Sequence, residues 1–459
     1  MRGALAAGHP LTAQAGADVL FAGGNAVDAC IAAAGVSWVC ESPLTGPGGG
    51  GFLLVHNGRE ARTRLLDFFV AVPERTHVPE ELVGIVVDYG DSQQIFYTGP
   101  MSVAVPGAAL GLWEAHRRWG SVPWAELLAP AARLAREGVV LNEVQAYLHR
   151  ILDPLLRYSP EGDALYGPGR ALLEGERFAD PELADTLEQV AAEGAGCLYR
   201  GELAERIAAH VPITLADLAR YEVIEREPFA TSYRGDELRT NPPPSSGGRR
   251  LAVGVEALGD AAPTPPAIVR AMEAQDAMRT QAVGGTTHIS AVDDNGDAAS
   301  LSCSMGSSGG IVVPGTGIQL NNMLGETHLM GEIRPRARLT SMMAPSLLLR
   351  EGRPRLVVGS AGSSRLAGAV LQVVVNVAAR GLGVEEAVDA PRIHFEQGVT
   401  HCEDPAVADE LEAAGYPVVR WRARNLFFGG VSAVEIRDDG SLAGAGDPRR
   451  DGAAVVVQA

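Results

Sequence analysis

Gly285-Thr286-Thr287-His288 is the segment whose residue types most directly suggest covalent chemistry. A threonine hydroxyl is a weak nucleophile unless a base lies beside it, and a threonine whose own α-amine is free carries that base. The α-amino group titrates near pH ~8, so a usable fraction is neutral close to neutral pH. Glycine before the threonine suits the rearrangement that would free this amine, because no side chain blocks attack by Oγ on the preceding carbonyl. The same letters also describe a strand with two β-branched residues, and both readings stand on these residues alone. His288 reads as a packed strand histidine and not as a base.

Three other segments carry candidate groups. Gly359 to Ser364 lies between an apolar run and a helical pattern, so its N–H groups suit an oxyanion, and equally a strand–helix turn. Arg338 to Met343 holds two adjacent hydroxyls, Thr340 and Ser341, of the kind that hold a carboxylate. Gly46 to Gly51 lacks the Lys-Ser/Thr of a phosphate loop, since Phe52-Leu53 follows, and it comes after a helix; it reads as a tight turn near a pocket.

The elements that must position these groups alternate without a repeat. Leu11 to Phe21 reads as a helix closed at Gly23-Gly24, and Asn25 with Asp28 caps a second helix with Val27, Ile31 and Ala34 on one apolar face. Phe52 to His56 and Leu65 to Val70 read as strands. Residues 107 to 220 are mainly helical, with amphipathic stretches at Ala108 to Trp119 and Trp124 to Glu137. The Asn241 to Gly248 run breaks structure before another helix. From Thr286 the pattern turns to strands: Thr287 to Val292, the Asp294-Asn295-Gly296-Asp297 turn, and Ala298 to Ser304 form a hairpin. Leu356 to Val358 leads to a helix at Leu366 to Ala379, and two short strands close the chain. Helices outside strands in a mixed layered fold follow.

Composition bounds the rest. The 459 residues are 46% apolar, enough for a large core, and the formal charge of −18 excludes nucleic acid or anionic lipid as a natural partner. Glycine is abundant, at 55 residues in clusters, which implies tight turns or close backbone approach. The start carries no apolar run of secretory type, and no apolar stretch is long enough to span a membrane. The five cysteines are odd in number with no CxxC pair, and the ten histidines are scattered. A reduced, cytoplasmic protein without a structural metal is expected.

Several stretches, taken in order, resemble the gamma-glutamyltransferase family of N-terminal nucleophile (Ntn) hydrolases. They are Gly23 to Val36, Gly46 to His56, Ser102 to Gly120, Asn241 to Gly248, Thr286 to Ser302, Gly315 to Asn322 and Val357 to Arg365. The resemblance implies an α+β fold, a four-layer αββα sandwich made as an inactive precursor. It implies that the protein cuts its own Gly285–Thr286 bond by an N→O acyl shift and ester hydrolysis. Residues 1–285 and 286–459 would then form one intertwined fold, remaining associated, with no cofactor, a small-molecule substrate and room for a homo-oligomer. Thr286 matches the nucleophile and Ser304 the second hydroxyl beside it. Gly362 and Ser363 match the oxyanion donors, and Thr340 and Ser341 the hydroxyls on the substrate α-carboxylate.

The departures concentrate on recognition. Phe69 stands where the family's carboxylate-binding arginine would be, a charge-assisted contact that phenylalanine cannot replace. Met323-Leu324-Gly325-Glu326 replaces Gln-x-Asp-Asp and leaves only Glu326 to hold an α-amine. Gly306 or Ser307 meets the family's asparagine beside a short deletion, and Asn322 to Arg338 is too short for a lid loop, which predicts a more open cleft. The expected activity is amide hydrolysis or acyl transfer through a threonine acyl-enzyme, on a γ-glutamyl-like or other carboxylated small molecule. A C–C cleavage next to an oxo-acid group in a natural-product pathway, and an uncleaved binding protein, are the alternatives.

Overall fold

In the computed structural model, residues 3–74, 81–89, 93–278, 285–327 and 333–458 are described. Local signals set the first helices. Pro10–Phe21 ends at Ala22, with Gly23 following at a φ of 96°. Ala26–Cys40 starts on a complete capping box: the Asn25 side chain accepts from Val27 and Asp28 amides, and Asp28 accepts from the Asn25 amide. This second helix is buried on every face and not along one stripe. The two amphipathic stretches fold as the helices Ala108–Trp119 and Trp124–Glu137.

Two sheets make the centre. One has seven strands, in spatial order Ala453–Val457, Gly3–Ala7, Gly285–Asp293, Ala298–Gly306, Gly50–Asn57, Arg62–Phe68 and Ile224–Arg226. The other has six, in order Leu442–Gly446, Gly430–Ile436, Arg353–Ala361, Ser346–Arg350, Asp236–Thr240 and Phe229–Tyr233. Three apolar clusters separate four layers. Leu53, Ile289 and Leu301 pack against the 26–40 helix, Phe52, Leu54 and Val357 fill the space between sheets, and Leu348 and Val358 meet the helices Gly247–Leu258 and Leu366–Ala378. The fold is therefore the αββα sandwich expected. The chain closes with three short strands where two were expected, and they divide between the two sheets. All five cysteines are buried and unpaired.

Pleating assigns faces along the hairpin that opens at residue 285. Ile289 and Ala291 point to the helix side, while His288, Ser290, Ser300 and Ser302 meet between the sheets. His288 is held by Ser302 at 2.8 Å and Ser290 at 3.0 Å, and burial pulls its pKa down to about 3. A Cβ at Gly359 of the facing sheet would lie 2.3 Å from the imidazole, so the missing side chain makes room for it. His288 is the packed strand histidine expected.

Candidate active site

Thr286 sits at the start of its strand, 3% exposed, and the pairing around it is irregular. Gly285 pairs with Gly306 but Thr287 with Cys303, so Ser304 and Met305 both stand opposite Thr286. Such a bulge re-aims the side chains beside it. The Ser304 hydroxyl donates to the Gly285 carbonyl and accepts from the Gly306 amide at 3.0 Å.

A cavity of about 30 Å³ opens at this point. Its walls are Thr286, Ser304, Phe69, Met323, Glu326, Thr340, Ser341 and Ser363, together with Leu339, Met342, Met343 and Leu366. The nominated residues thus converge from four distant parts of the chain, with Gly362 adjoining through Ser363. Part of the 322–338 segment on which a more open cleft depends, residues 328–332, lies outside the described residues.

The glycine loop acts by close packing. A Cβ at Gly48 would fall 1.9 Å from the Gln319 carbonyl oxygen, and one at Gly49 2.4 Å from that of Ser304. The loop therefore seats the Ser304 strand by backbone approach. Asn321 fastens the other side, donating to the Gly48 and Ala104 carbonyls at 2.8 and 2.9 Å.

The Thr340–Ser341 loop is braced from the Asn241 to Gly248 run. The Ser341 carbonyl accepts from the Ser246 amide at 2.7 Å and the Ser245 hydroxyl at 2.9 Å, and Asn241 donates to the Met343 carbonyl at 3.0 Å. The Ser341 hydroxyl accepts from the Met343 amide at 3.1 Å, which leaves its proton for a ligand. On the opposite wall Gly362 has a φ of 128° and Ser363 a φ of 58°, a pair of left-handed residues in a sharp turn. A Cβ at Gly362 would meet Gly429 Cα at 2.5 Å.

The remaining wall is apolar. Phe69 is buried and stacked on Phe52, ring centroids 5.4 Å apart. A guanidinium does lie nearby, but behind the wall: Arg338 donates to the Phe69 carbonyl at 2.5 Å and pairs with Asp67 at 3.4 Å. No basic side chain lines the cavity among the described residues. Among the described residues Glu326 is its one carboxyl group; Oε1 is buried without a hydrogen-bond partner, and desolvation raises its pKa well above the usual carboxylate range. The family's asparagine has no room at Gly306, where a Cβ would lie 1.9 Å from Asn322 Oδ1. Asn322 instead accepts from the Ser307 amide at 2.9 Å. Leu339, Met342, Met343 and Leu366 were not singled out in the sequence, because apolar residues there look like any core.

Comparison with known proteins gives the same frame. The acylase ACY 1 proenzyme of Pseudomonas sp. (strain SE83) is 32% identical, the match covering 99% of this chain and 94% of that protein. The glutathione hydrolase proenzyme of Pseudomonas aeruginosa is 31% identical over 99% and 95% of the two chains. Among solved structures, cephalosporin acylase from Bacillus halodurans superposes with a TM-score of 0.85 at 27% identity, covering 100% of this chain and 96% of its own. The sequence pattern described as gamma-glutamyltranspeptidase matches residues 12–263 and 257–457. With the same layered fold and a match along nearly its whole length, the chain belongs to the gamma-glutamyltranspeptidase family of hydrolases and acyltransferases.

Proposed function

We propose that this protein is a self-processing threonine acylase whose nucleophile is Thr286 and whose acyl donor differs from glutathione. The observation that carries the reading is the Ser304 hydroxyl on the Gly285 carbonyl, at a cavity lined by Thr286. In the precursor Thr286 Oγ attacks that carbonyl, Ser304 supports the developing oxyanion, and the C–N bond breaks to leave an ester and a free α-amine. Water then hydrolyses the ester. In the mature enzyme the α-amine takes the Oγ proton as Oγ attacks the donor amide, and passes it to the leaving amine. The Gly362 and Ser363 amides face the new oxyanion, and water or an acceptor amine releases the acyl group.

Substrate choice follows from the walls. Thr340 and Ser341 offer hydroxyls to a carboxylate, while Phe69, Met323 and Met342 face an apolar acyl body. Glu326 has a buried oxygen without a hydrogen-bond partner and a pKa raised by burial, which makes it a poor counter-ion for an ammonium group. A dicarboxylic half-amide without an α-amine, such as a glutaryl amide, fits this better than a γ-glutamyl amide. Relatives named as acylases stand beside others named as glutathione hydrolases, so the family admits acyl donors other than glutathione.

The test is a denaturing gel with N-terminal sequencing of the smaller band, followed by paired kinetics on glutaryl and γ-glutamyl anilides. Two bands, the smaller beginning at Thr286 and absent in Thr286→Ala, are expected, with the glutaryl anilide turned over faster. A single band that persists on long incubation overturns self-processing. Faster turnover of the γ-glutamyl anilide overturns the substrate assignment.

A further inference from the structure

A nucleophile that becomes the first residue of its strand has a mechanical problem. Chain ends fray unless something ties them down. The Ser304 bond to the Gly285 carbonyl belongs to the departing side of the cut, so it cannot hold Thr286 afterwards. Two groups outside the cavity grip the far side. Thr287 turns its hydroxyl to the helix face and donates to Glu41 Oε2 at 2.6 Å. Arg450 Nη1 reaches the Thr286 carbonyl at 3.5 Å.

Both gripping groups are costly to bury, which argues for a specific role. Glu41 is 1% exposed and stands at the end of the 26–40 helix, where the helix dipole disfavours a carboxylate. Its other oxygen accepts from Thr12 Oγ1 at 3.1 Å. Arg450 is 6% exposed, and its Nε is buried without a hydrogen-bond partner. Two glycines clear the space: a Cβ at Gly430 would fall 2.3 Å from Arg450 Cδ, and one at Gly8 2.7 Å from Glu41 Oε2. The two buried side chains come from opposite ends of the chain and flank the same pair of residues.

We infer that Glu41, through the Thr287 hydroxyl, and Arg450, on the Thr286 carbonyl, are positioning residues that clamp the threonine terminus after the chain is cut. The inference rests on Thr286 being the processed terminus. The ladder from Thr287–Cys303 onward holds the strand before and after the cut; the clamp adds a hold on the new terminus itself, at Thr286 and Thr287.

The experiment compares the processed parent protein with Thr287→Val and Thr287→Ser, by gel and by hydrogen–deuterium exchange. Valine keeps the branched strand shape and loses the donor. The expected result is that Thr287→Val is still cut, exchanges its Thr287 to Ile289 amides about tenfold faster, and loses turnover on a glutaryl anilide through kcat and not KM. Exchange in Ser346 to Ala361 stays unchanged, and Thr287→Ser restores the parent values. The double variant Glu41→Gln/Arg450→Met removes both ionisable groups together, so that neither is left as a lone buried charge. It should show the same local loosening. Unchanged exchange at 287–289 in both variants overturns the clamp, as does loosening spread over both sheets. A parent that is never cut at Thr286 instead overturns the proposed function.

Discussion

The two walls of the cavity are built on different principles. On the side proposed to react, Thr286, Ser304, Gly362 and Ser363 present small hydroxyls and backbone groups, and their positions come from a strand bulge, a left-handed turn and glycines pressed against carbonyls. On the recognition side, Phe69, Met323 and Glu326 present side chains whose identity alone decides what they hold. A backbone amide works from serine as well as from glycine, so the reacting wall absorbs conservative changes. On the other wall Phe69 presents a ring where the sequence resemblance places a carboxylate-binding arginine. On the proposed reading, the chemistry rests on the backbone of the fold and the specificity on single side chains.

Ser304→Ala tests the reacting wall most severely. Loss of one oxyanion donor typically costs ~100- to ~1000-fold in rate. Self-cleavage followed by band conversion on a gel should slow by about that factor, while Ser304→Thr stays near the parent. Gly48→Ala asks whether that wall depends on backbone contact. The added methyl meets the Gln319 carbonyl at 1.9 Å, and a loss of about 2 kcal/mol by denaturant unfolding is expected; an unchanged midpoint would sink the close-packing account.

Glu326→Gln probes the recognition wall through pH. A carboxyl whose pKa is raised on folding contributes stability that is complete below its unfolded value and lost as pH rises through the folded one. The melting temperature of the parent should therefore fall as pH rises above the ordinary carboxylate range, and fall less in Glu326→Gln. Equal slopes would show that Glu326 is not the buried acid it appears from its surroundings. The smallest effect belongs to Ser363→Gly. Glycine relieves a left-handed φ of 58° but gains freedom when unfolded, so a net stabilisation below about 1 kcal/mol is expected by thermal denaturation.

Legibility in the sequence followed the range of the interactions. The Asn25–Asp28 capping box and the Asp294 to Asp297 turn are local, and both were readable from a few residues. The Gly3–Ala7 strand was not, because Gly-Ala-Leu-Ala-Ala, with four small residues of weak strand preference, forms a strand only when Gly285–Asp293 and Ala453–Val457 lie on either side. The 26–40 helix hides its full burial, since Asp28 and Ser37 satisfy themselves with Ser121 and Ala34 instead of facing water. At the cavity, polar residues announced themselves by type, whereas Met342 and Leu366 did not. Glu41 and Arg450 carry no motif, and only the fold brings them to one strand.

The interleaving of Gly3–Ala7 between those two strands has a further consequence. A break in the chain at residue 285 severs a covalent thread but none of the ladder bonds from Ala7–Ile289 through Gly3–Asp293, nor those to Ala453–Val457. The seam is woven and not butted, so the ends of the sequence act as stitching for its middle. If it is cut where the proposed function places the cut, a protein built this way loses connectivity without losing shape.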